Sequence, residues 1–171
     1  MPPQAVVVDD SAFQRTVVSE TIDDHVEIVG TAENGREAIR VFAETEPDLL
    51  TMDIMMPKLN GIEALSAIKE RSPETTVVMV TSVSQKEKMR EAAKAGADGY
   101  VTKPFDRNEL LMRVRNLLDA HLAHRMTYNQ RKVLDGLVRQ RTEQLRTTQL
   151  SVIQRLAQAA EYRDEETGYH I

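Results

Sequence analysis

The sequence lacks several residue types and patterns, and each absence excludes a class of protein. Its 171 residues include no cysteine, which excludes a disulfide framework, a thiolate zinc site and a cysteine nucleophile. The longest uninterrupted apolar runs are four residues, at 5–8 and 77–80, far short of the roughly 20 residues that span a bilayer. The N-terminus MPPQAVVVDD has no basic region followed by an apolar stretch. No secretory signal is therefore expected, and the predicted location is the cytoplasm.

The composition is that of a globular domain, with 41% hydrophobic and 29% charged residues, and not that of a disordered or fibrous chain. The length suffices for one domain of about 100–150 residues and an appendage. Residues 1–120 carry 14 Lys and Arg against 21 Asp and Glu, a charge of −7, while residues 121–171 carry 8 against 6, a charge of +2. Because no basic stripe is present, we expect neither DNA binding nor membrane association.

Five short apolar segments, rich in β-branched residues, alternate with amphipathic helical stretches over the first 120 residues. The segments lack in-and-out alternation, which is typical of strands buried on both faces of a parallel sheet. They are residues 5–8, 26–29, 48–52, 76–80 and 99–101. Candidate caps precede Glu by three residues at Asn34, Ser84 and Asp106, and Ser11 and Asn60 are further candidate caps. The pattern predicts a doubly wound α/β domain with five strands and five helices.

From Asp106 onward the helical pattern continues almost without interruption. A set of apolar residues recurs at seven-residue intervals: Val138, Leu145, Val152 and Ala159. This spacing favours a parallel two-stranded coiled coil and a homodimer through residues 120–160. Arg141 and Thr148 occupy the complementary seam positions and weaken the pattern. The alternative is a helix that folds back on its own domain.

Chemically reactive side chains follow the predicted strands. Because the carboxyl ends of parallel strands meet at one edge of a sheet, these side chains are expected to converge. They are Asp9, Asp10, Asp53, Thr81, Ser82 and Lys103. Two carboxylates about 4 Å apart repel by roughly 4 kcal/mol at an effective dielectric near 20, so a cation must offset their charge or their pKa values must rise. Carboxylate oxygens without His or Cys favour Mg²⁺ or Mn²⁺. Asp53 follows the central strand of the predicted order 2-1-3-4-5, which makes it the predicted nucleophile toward phosphorus.

Four motifs mark the first domain: VVVDDS at residues 6–11, DLLTMDIMMPKLNGIEAL at 48–65, VMVTS at 78–82 and GADGYVTKPF at 96–105. In these motifs residues 4–119 resemble the receiver domain of two-component response regulators, which has a flavodoxin-like (βα)5 fold. The resemblance implies that Asp53 accepts a phosphoryl group from the phosphohistidine of a sensor histidine kinase. It also implies a cis peptide bond between Lys103 and Pro104.

The resemblance further implies a role for each residue of the site. The implied Mg²⁺ ligands are Asp9, Asp10, Asp53 and the backbone carbonyl of Met55. Thr81 would hydrogen-bond the phosphoryl oxygens, Lys103 would pair with them, and Tyr100 would be the aromatic residue that rotates with Thr81. Taken one at a time, these residues have simpler interpretations as a helix cap, a surface charge and a packed aromatic ring.

Phosphorylation at Asp53 adds roughly −1.5 to −2 charges and three acceptor oxygens, so the predicted mechanism is a switch. The shape change would spread over the fourth helix, the fifth strand and the fifth helix, which leads into the connector. Met55 and Val83 flank the path of the attacking water and are both apolar. We therefore predict slow to intermediate loss of the phosphoryl group.

The end of the chain carries a second, shorter pattern. AAEYRDEETGYH at residues 159–170 resembles the opening helix of an HD-GYP domain, a class of metal-dependent cyclic di-GMP phosphodiesterases, and RTEQLRTTQLSVIQRL at 141–156 is similar to its connector. Glu166 and His170, four residues apart, would be metal ligands of an incomplete site. The alternative is an exposed terminal turn. The predicted domains are a receiver at 4–119, a helical connector at 120–156 and an incomplete output domain at 157–171.

Two functions from different classes are consistent with these patterns. The first is a signalling receiver with a dimerising connector. As the chain stands, this receiver is not an enzyme, and its only reactions are its own phosphorylation and dephosphorylation. The second is an enzyme, either a cyclic di-GMP phosphodiesterase or a diguanylate cyclase that uses an equivalent coil. The chain contains neither a GGDEF-type signature nor a P-loop. A haloacid-dehalogenase-type phosphatase would need Asp-x-Asp on the first strand, which Asp9 and Asp10 do not supply.

Overall fold

The computed structural model of the chain describes residues 2–82 and 86–168. The strands are β1 (Gln4–Val8), β2 (Glu27–Ala32), β3 (Leu49–Met52), β4 (Thr76–Thr81) and β5 (Gly99–Thr102). The helices are α1 (Ala12–Ile22), α2 (Gly35–Thr45), α3 (Gly61–Arg71), α4 (Lys86–Lys94) and α5 (Arg107–Gly168). The strands form one parallel sheet in the order β2-β1-β3-β4-β5. The predicted flavodoxin-like fold and the long C-terminal helix are both confirmed.

Both faces of the sheet are covered by apolar side chains. Successive residues of a strand point to opposite faces, so each strand contributes to two separate cores. Val6 and Leu50 pack with α2 and α3 on one face. Val7 and Leu49 pack with α1 and the first part of α5 on the other face. Because both faces are buried, the inner strands are largely apolar in sequence and show no alternation.

The pairing of β1 with β3 places the first elements of the site. Val8 lies beside Met52 in this parallel pair. The residues that follow, Asp9 and Asp53, therefore leave the sheet side by side at its carboxyl edge. The backbone N–H of Asp53 donates to the carbonyl oxygen of Val8 at 3.0 Å, which continues the ladder by one residue.

Polar side chains begin most of the helices at the positions that the sequence predicts. Ser11 and Asn34 each accept a hydrogen bond from the backbone N–H three residues further on. The side chain of Asp106 accepts from the N–H of Asn108 at 2.8 Å. Ser84, the remaining candidate with a Glu three residues later, lies outside the described residues.

The helix α3 begins with a complete capping box. The side chain of Asn60 accepts from the N–H of Glu63 at 3.0 Å, and the carboxylate of Glu63 accepts from the N–H of Asn60 at 3.1 Å. Two backbone donors at the start of the helix are thereby satisfied. The box holds the turn that connects the Asp53 loop to α3.

The chain divides into two compact units, Met1–Ala123 and His124–Ile171. In the first unit α5 buries Leu110, Val114 and Leu118 against the sheet. In the second unit the described side chains are exposed, including the heptad-spaced apolar ones. Among the described residues, no helix has both the length and the apolar character needed to cross a membrane. The coiled coil and the predicted boundaries at residues 119 and 156 stay predictions.

Candidate functional site

Three carboxylates form an acidic cluster at the carboxyl ends of β1 and β3. One oxygen from each of Asp9, Asp10 and Asp53 lies within 4.8 Å of the other two. Asp9 and Asp53 are only 3% and 5% exposed, whereas Asp10 is exposed to solvent. Burial reduces the screening of their mutual repulsion by water, so the cluster needs a neighbouring cation.

Lys103 supplies one cation to this cluster. Its Nζ donates to Oδ2 of Asp53 at 2.8 Å and to Oδ2 of Asp9. Burial alone would lower the pKa of the Lys103 ammonium, but the hydrogen bonds and charges of Asp53 and Asp9 outweigh burial and raise the pKa. The ammonium is therefore charged at neutral pH. The end of β4 positions it, because the Lys103 N–H donates to the carbonyl oxygen of Thr81 at 2.8 Å.

The loop between β1 and α1 fixes the conformation of Asp9. The N–H of Ser11 donates to Oδ1 of Asp9 at 2.9 Å, which leaves Oδ2 for Lys103. Nη1 of Arg15 donates to the carbonyl oxygen of Asp9 at 2.7 Å. Asp9 is thus held by its backbone and by both carboxylate oxygens.

The loop after β3 fixes Asp53 in a similar way. The N–H of Met55 donates to Oδ1 of Asp53 at 3.2 Å, while Oδ2 accepts from Lys103. Gly61, the first residue of α3, donates its N–H to the carbonyl oxygen of Ile54 at 2.9 Å and lies against the backbone of Asp53. The side chain of Met55 is exposed.

Thr81 and Tyr100 lie on neighbouring strands. Thr81 is fully buried at the end of β4, whereas the ring of Tyr100 on β5 is 51% exposed. Both residues line a cavity of about 250 Å³ that also reaches Ile54, the residue after Asp53. The structure therefore has an open volume that adjoins both Thr81 and Tyr100. The Lys103–Pro104 peptide bond is cis.

The donor set of the cluster fits a hard divalent cation. Its three members offer carboxylate oxygens, and neither His nor Cys belongs to the group. Mg²⁺ is bound in proteins through one or two carboxylates and several waters, so a partly exposed cluster that includes Asp10 suits it.

Two residues that support this site are not identified by the sequence patterns. The capping pattern explains Gly61 only as part of a turn, and no pattern singles out Arg15. The one signal in the sequence that could have identified Gly61 is its position directly after the cap Asn60, because capping itself requires no glycine there.

The structure also locates the remaining predicted residues. Glu166 lies within α5. Val83 and His170 lie outside the described residues.

The strand order, together with an acidic cluster and a lysine at the carboxyl edge, defines a flavodoxin-like signalling domain of the response-regulator class. The family described as "Response regulator receiver domain" matches residues 5–115, and the chain belongs to this family. Receiver domains bind Mg²⁺ at an acidic cluster of this kind and partner with histidine kinases.

Individual relatives agree with this assignment. The chain is 46% identical over 120 residues to the chemotaxis protein CheY of Halobacterium salinarum, an alignment that covers 70% of this chain and all of the relative. It is 43% identical over 114 residues to a protein-glutamate methylesterase/protein-glutamine glutaminase of Thermotoga maritima, covering 64% of this chain and 33% of that protein. The crystal structure of the CheX–CheY–BeF3–Mg²⁺ complex from Borrelia burgdorferi superimposes with a TM-score of 0.65 at 30% identity, covering 68% of this chain and 89% of that one.

Proposed function

We propose that the chain is the receiver of a two-component phosphorelay and that Asp53 accepts a phosphoryl group from the phosphohistidine of a sensor histidine kinase. The observation that carries this proposal is the position of the Asp53 carboxylate. It is buried, it lies in a cluster with Asp9 and Asp10, and it accepts from the Lys103 ammonium at 2.8 Å. Neighbouring positive charge lets such a carboxylate approach an anionic phosphoryl group.

The chain's own residues would divide the chemistry as follows. In the transfer, an Asp53 oxygen forms a bond to phosphorus while the phosphorus–nitrogen bond of the phosphohistidine breaks. Asp9, Asp10, Asp53 and the backbone carbonyl of Met55 would hold Mg²⁺ or Mn²⁺. When bound, the cation offsets the negative charge that the phosphoryl group brings. The Lys103 ammonium would leave the carboxylates and pair with the phosphoryl oxygens.

The signal would pass through Thr81 and Tyr100. The Thr81 hydroxyl would donate to a phosphoryl oxygen on Asp53, which moves this side chain toward the cluster. The half-exposed ring of Tyr100 would then turn into the neighbouring cavity of about 250 Å³. The surface formed by α4, β5 and the first part of α5 changes shape as a result.

Phosphorylation with acetyl phosphate and Mg²⁺ tests the phosphoacceptor. Wild type should form an acyl phosphate that maps to Asp53, and Asp53→Asn should remain unlabelled. Asp24→Asn is the matched control, because Asp24 is exposed between α1 and β2, away from the cluster, and its loss should leave the label intact. A label that maps elsewhere, or one that survives in Asp53→Asn, would disprove the proposal.

Metal binding can be tested apart from phosphorylation. Calorimetric titration of the unphosphorylated protein with Mg²⁺ and then with Mn²⁺ should show one site. Asp10→Asn should weaken binding of both ions, because it removes one of three carboxylates from the cluster. Asp10 is exposed, so the variant should fold normally. Equal affinity in the two proteins would exclude Asp10 as a ligand.

The lifetime of the phosphoryl group stays a prediction. Slow to intermediate loss is expected, because the side chains at Met55 and Val83 are apolar and cannot orient an attacking water. Replacing both with polar residues should speed the loss of label. A wild-type label that disappears within seconds, or no change in the double variant, would contradict this expectation.

We also propose that the chain forms a homodimer through residues 120–160. The apolar side chains at seven-residue intervals are exposed in the second unit, with Leu145 56% exposed. A second copy of the helix would cover this stripe. The seam-flanking residues Gln144, Ser151 and Gln158 are uncharged, so like-charge repulsion between two parallel helices in register arises at Arg141 in the seam and not at these flanking positions.

Oligomeric mass with and without beryllofluoride and Mg²⁺ tests this dimer. Leu145→Asp should abolish it. Leu150→Asp is the matched control, because Leu150 is equally exposed but lies about 140° around the helix from Leu145. A monomer in wild type under both conditions, or equal effects of the two variants, would disprove the coiled coil.

The output function is a separate proposal. The family match ends at residue 115, so the HD-GYP interpretation rests on the motifs at 141–156 and 159–170 alone. We propose that the chain itself does not hydrolyse cyclic di-GMP, because Glu166 and His170 supply only part of a metal site. Incubation with cyclic di-GMP and Mn²⁺ tests this, and turnover would overturn it in favour of the phosphodiesterase.

A further inference from the structure

Tyr100 has a cationic neighbour that the proposed switch does not yet include. The guanidinium of Arg113 on α5 lies over the Tyr100 ring on β5, 5.9 Å from the ring centroid. This arrangement is a cation–π contact, in which the negative face of the ring attracts the cation. The described residues offer Arg113 no carboxylate at salt-bridge distance, so the ring is its charge-stabilising contact.

Gly99 of β5 lies beside the side chains of Arg113 and Leu117 on α5. A β-carbon at position 99 would lie 3.4 Å from Cδ of Arg113 and 2.8 Å from Cδ1 of Leu117. The aliphatic stem of Arg113 therefore lies beside the backbone next to Tyr100, at ordinary van der Waals distance from such a β-carbon, and the side chain that a larger residue would displace is Leu117. The contact joins two exposed side chains at a point where Leu117 of α5 packs against Gly99 of β5.

The ring of Tyr100 lies between two environments. On its outer side it is half exposed and meets Arg113. On its inner side is the cavity of about 250 Å³, which Thr81, Met89 and Arg113 also line. The 5.9 Å contact belongs to the outer position, because a ring that turns into the cavity leaves the place where this distance is measured.

We propose that Arg113 is a positioning residue that holds Tyr100 in the outer position and thereby lowers the population of the switched conformation before phosphorylation. The inference rests on the proposed switch at Thr81 and Tyr100. A cation–π contact at an exposed site changes such an equilibrium by about two- to fivefold. Arg113 also belongs to the helix that continues beyond residue 123, so the position of the ring is linked to α5 directly.

Fluorine NMR of protein labelled with 3-fluorotyrosine tests the position of the ring without phosphorylation. The sequence has four tyrosines, and Tyr100→Phe assigns the resonance. In Arg113→Gln the Tyr100 resonance should show a smaller solvent isotope shift between H2O and D2O, because the ring spends more time inside. Arg113→Lys should lie between the two, since it keeps a cation. An unchanged Tyr100 resonance in Arg113→Gln would overturn the proposal.

Arg115→Gln is the matched control, because it removes the same charge from an exposed site on the same helix. It should leave the Tyr100 resonance unchanged. An equal response to Arg115→Gln would show that net charge and not the contact moves the ring, and would also overturn the proposal.

The rate of phosphorylation by acetyl phosphate gives a second readout. Arg113→Gln should raise the rate about two- to fivefold, and the effect should vanish in a Tyr100→Leu background, where no ring is present. A rate increase that persists in that background would exclude the ring as the mediator. If wild type takes no label at Asp53, the proposed function fails, while the fluorine measurement still decides the role of Arg113.

Discussion

The α-carbon of Gly61 lies so close to the backbone of Asp53 that a β-carbon at position 61 would be 1.9 Å from the Asp53 carbonyl oxygen. The start of α3 and the loop that carries the central carboxylate are therefore in direct backbone contact. No rotation of a side chain can relieve the overlap, because the opposing atom belongs to the main chain. A glycine at this position is a requirement of the site.

Gly61→Ala should lower the free energy of unfolding of the first unit by about 1–3 kcal/mol, since the β-carbon forces a backbone shift. The same shift displaces Asp53, so the yield of acyl phosphate should fall. Urea unfolding measures the first effect and labelling measures the second. Gly136→Ala is the control: a β-carbon at position 136 would meet nothing within 4 Å, and the unfolding of the first unit should not change.

Thr51→Val should stabilise the protein. The hydroxyl of Thr51 on β3 is buried and, among the described residues, has no hydrogen-bond partner. Removing an unsatisfied buried polar group of this kind should raise the free energy of unfolding by about 1 kcal/mol. Thr75 provides the opposite case, because its hydroxyl donates to Oγ of Ser72 at 2.9 Å. Urea unfolding of Thr51→Val and Thr75→Val should give shifts of opposite sign, and equal signs would contradict the prediction.

Lys69→Met should destabilise the amino edge of the sheet. The Lys69 ammonium donates to the carboxylate of Asp98 at 2.8 Å and to the carbonyl of Thr75 at 2.7 Å, and its side chain is only 13% exposed. Loss of these charge-assisted bonds should cost about 1.5–3 kcal/mol in thermal or urea unfolding. Lys88→Met breaks only the exposed pair with Glu91, and its effect should stay within about 0.5 kcal/mol. Comparable losses in both variants would show that the number of ion pairs matters more than their burial.

Asn60→Ala should lower stability by about 1 kcal/mol, because two backbone donors at the start of α3 lose their partners. Asn60→Gly should cost only a few tenths of a kcal/mol, since glycine is itself tolerated at an N-cap. Chemical denaturation of both variants measures the difference. The prediction fails if the alanine and glycine variants unfold at the same denaturant concentration.

The sequence predicted the inner strands more accurately than the edge strand β2. The expected segment 26–29 became β2 (Glu27–Ala32), which extends three residues further. The apolar pattern of the sequence ends at Val29, whereas the hydrogen-bonded pairing of β2 with β1 continues through Gly30 and Thr31. At a half-exposed edge, hydrogen bonding to the neighbouring strand maintains the strand without a continuous apolar pattern.

Helix capping shows a similar limit. The pattern of Asn followed three residues later by Glu occurs at both Asn34 and Asn60. Only Asn60 forms the reciprocal box, while Glu37 accepts from the N–H of Glu33 at 2.9 Å. The same short pattern therefore produces two geometries, because the path of the preceding loop decides which N–H the glutamate reaches.

The sequence by itself determined the α/β alternation, the strand ends at which Asp9, Asp53, Thr81 and Lys103 stand, and the helical character beyond residue 106. These features follow from local periodicity and from the rule that parallel strands end at one edge. Only the tertiary structure decided the contact of Gly61 with Asp53, the bonds of Lys103 to carboxylates 94 and 50 residues away, and the placement of Arg113 over Tyr100. Such contacts depend on strand register and on the packing distance between a helix and the sheet, and both are set by residues far apart in the chain.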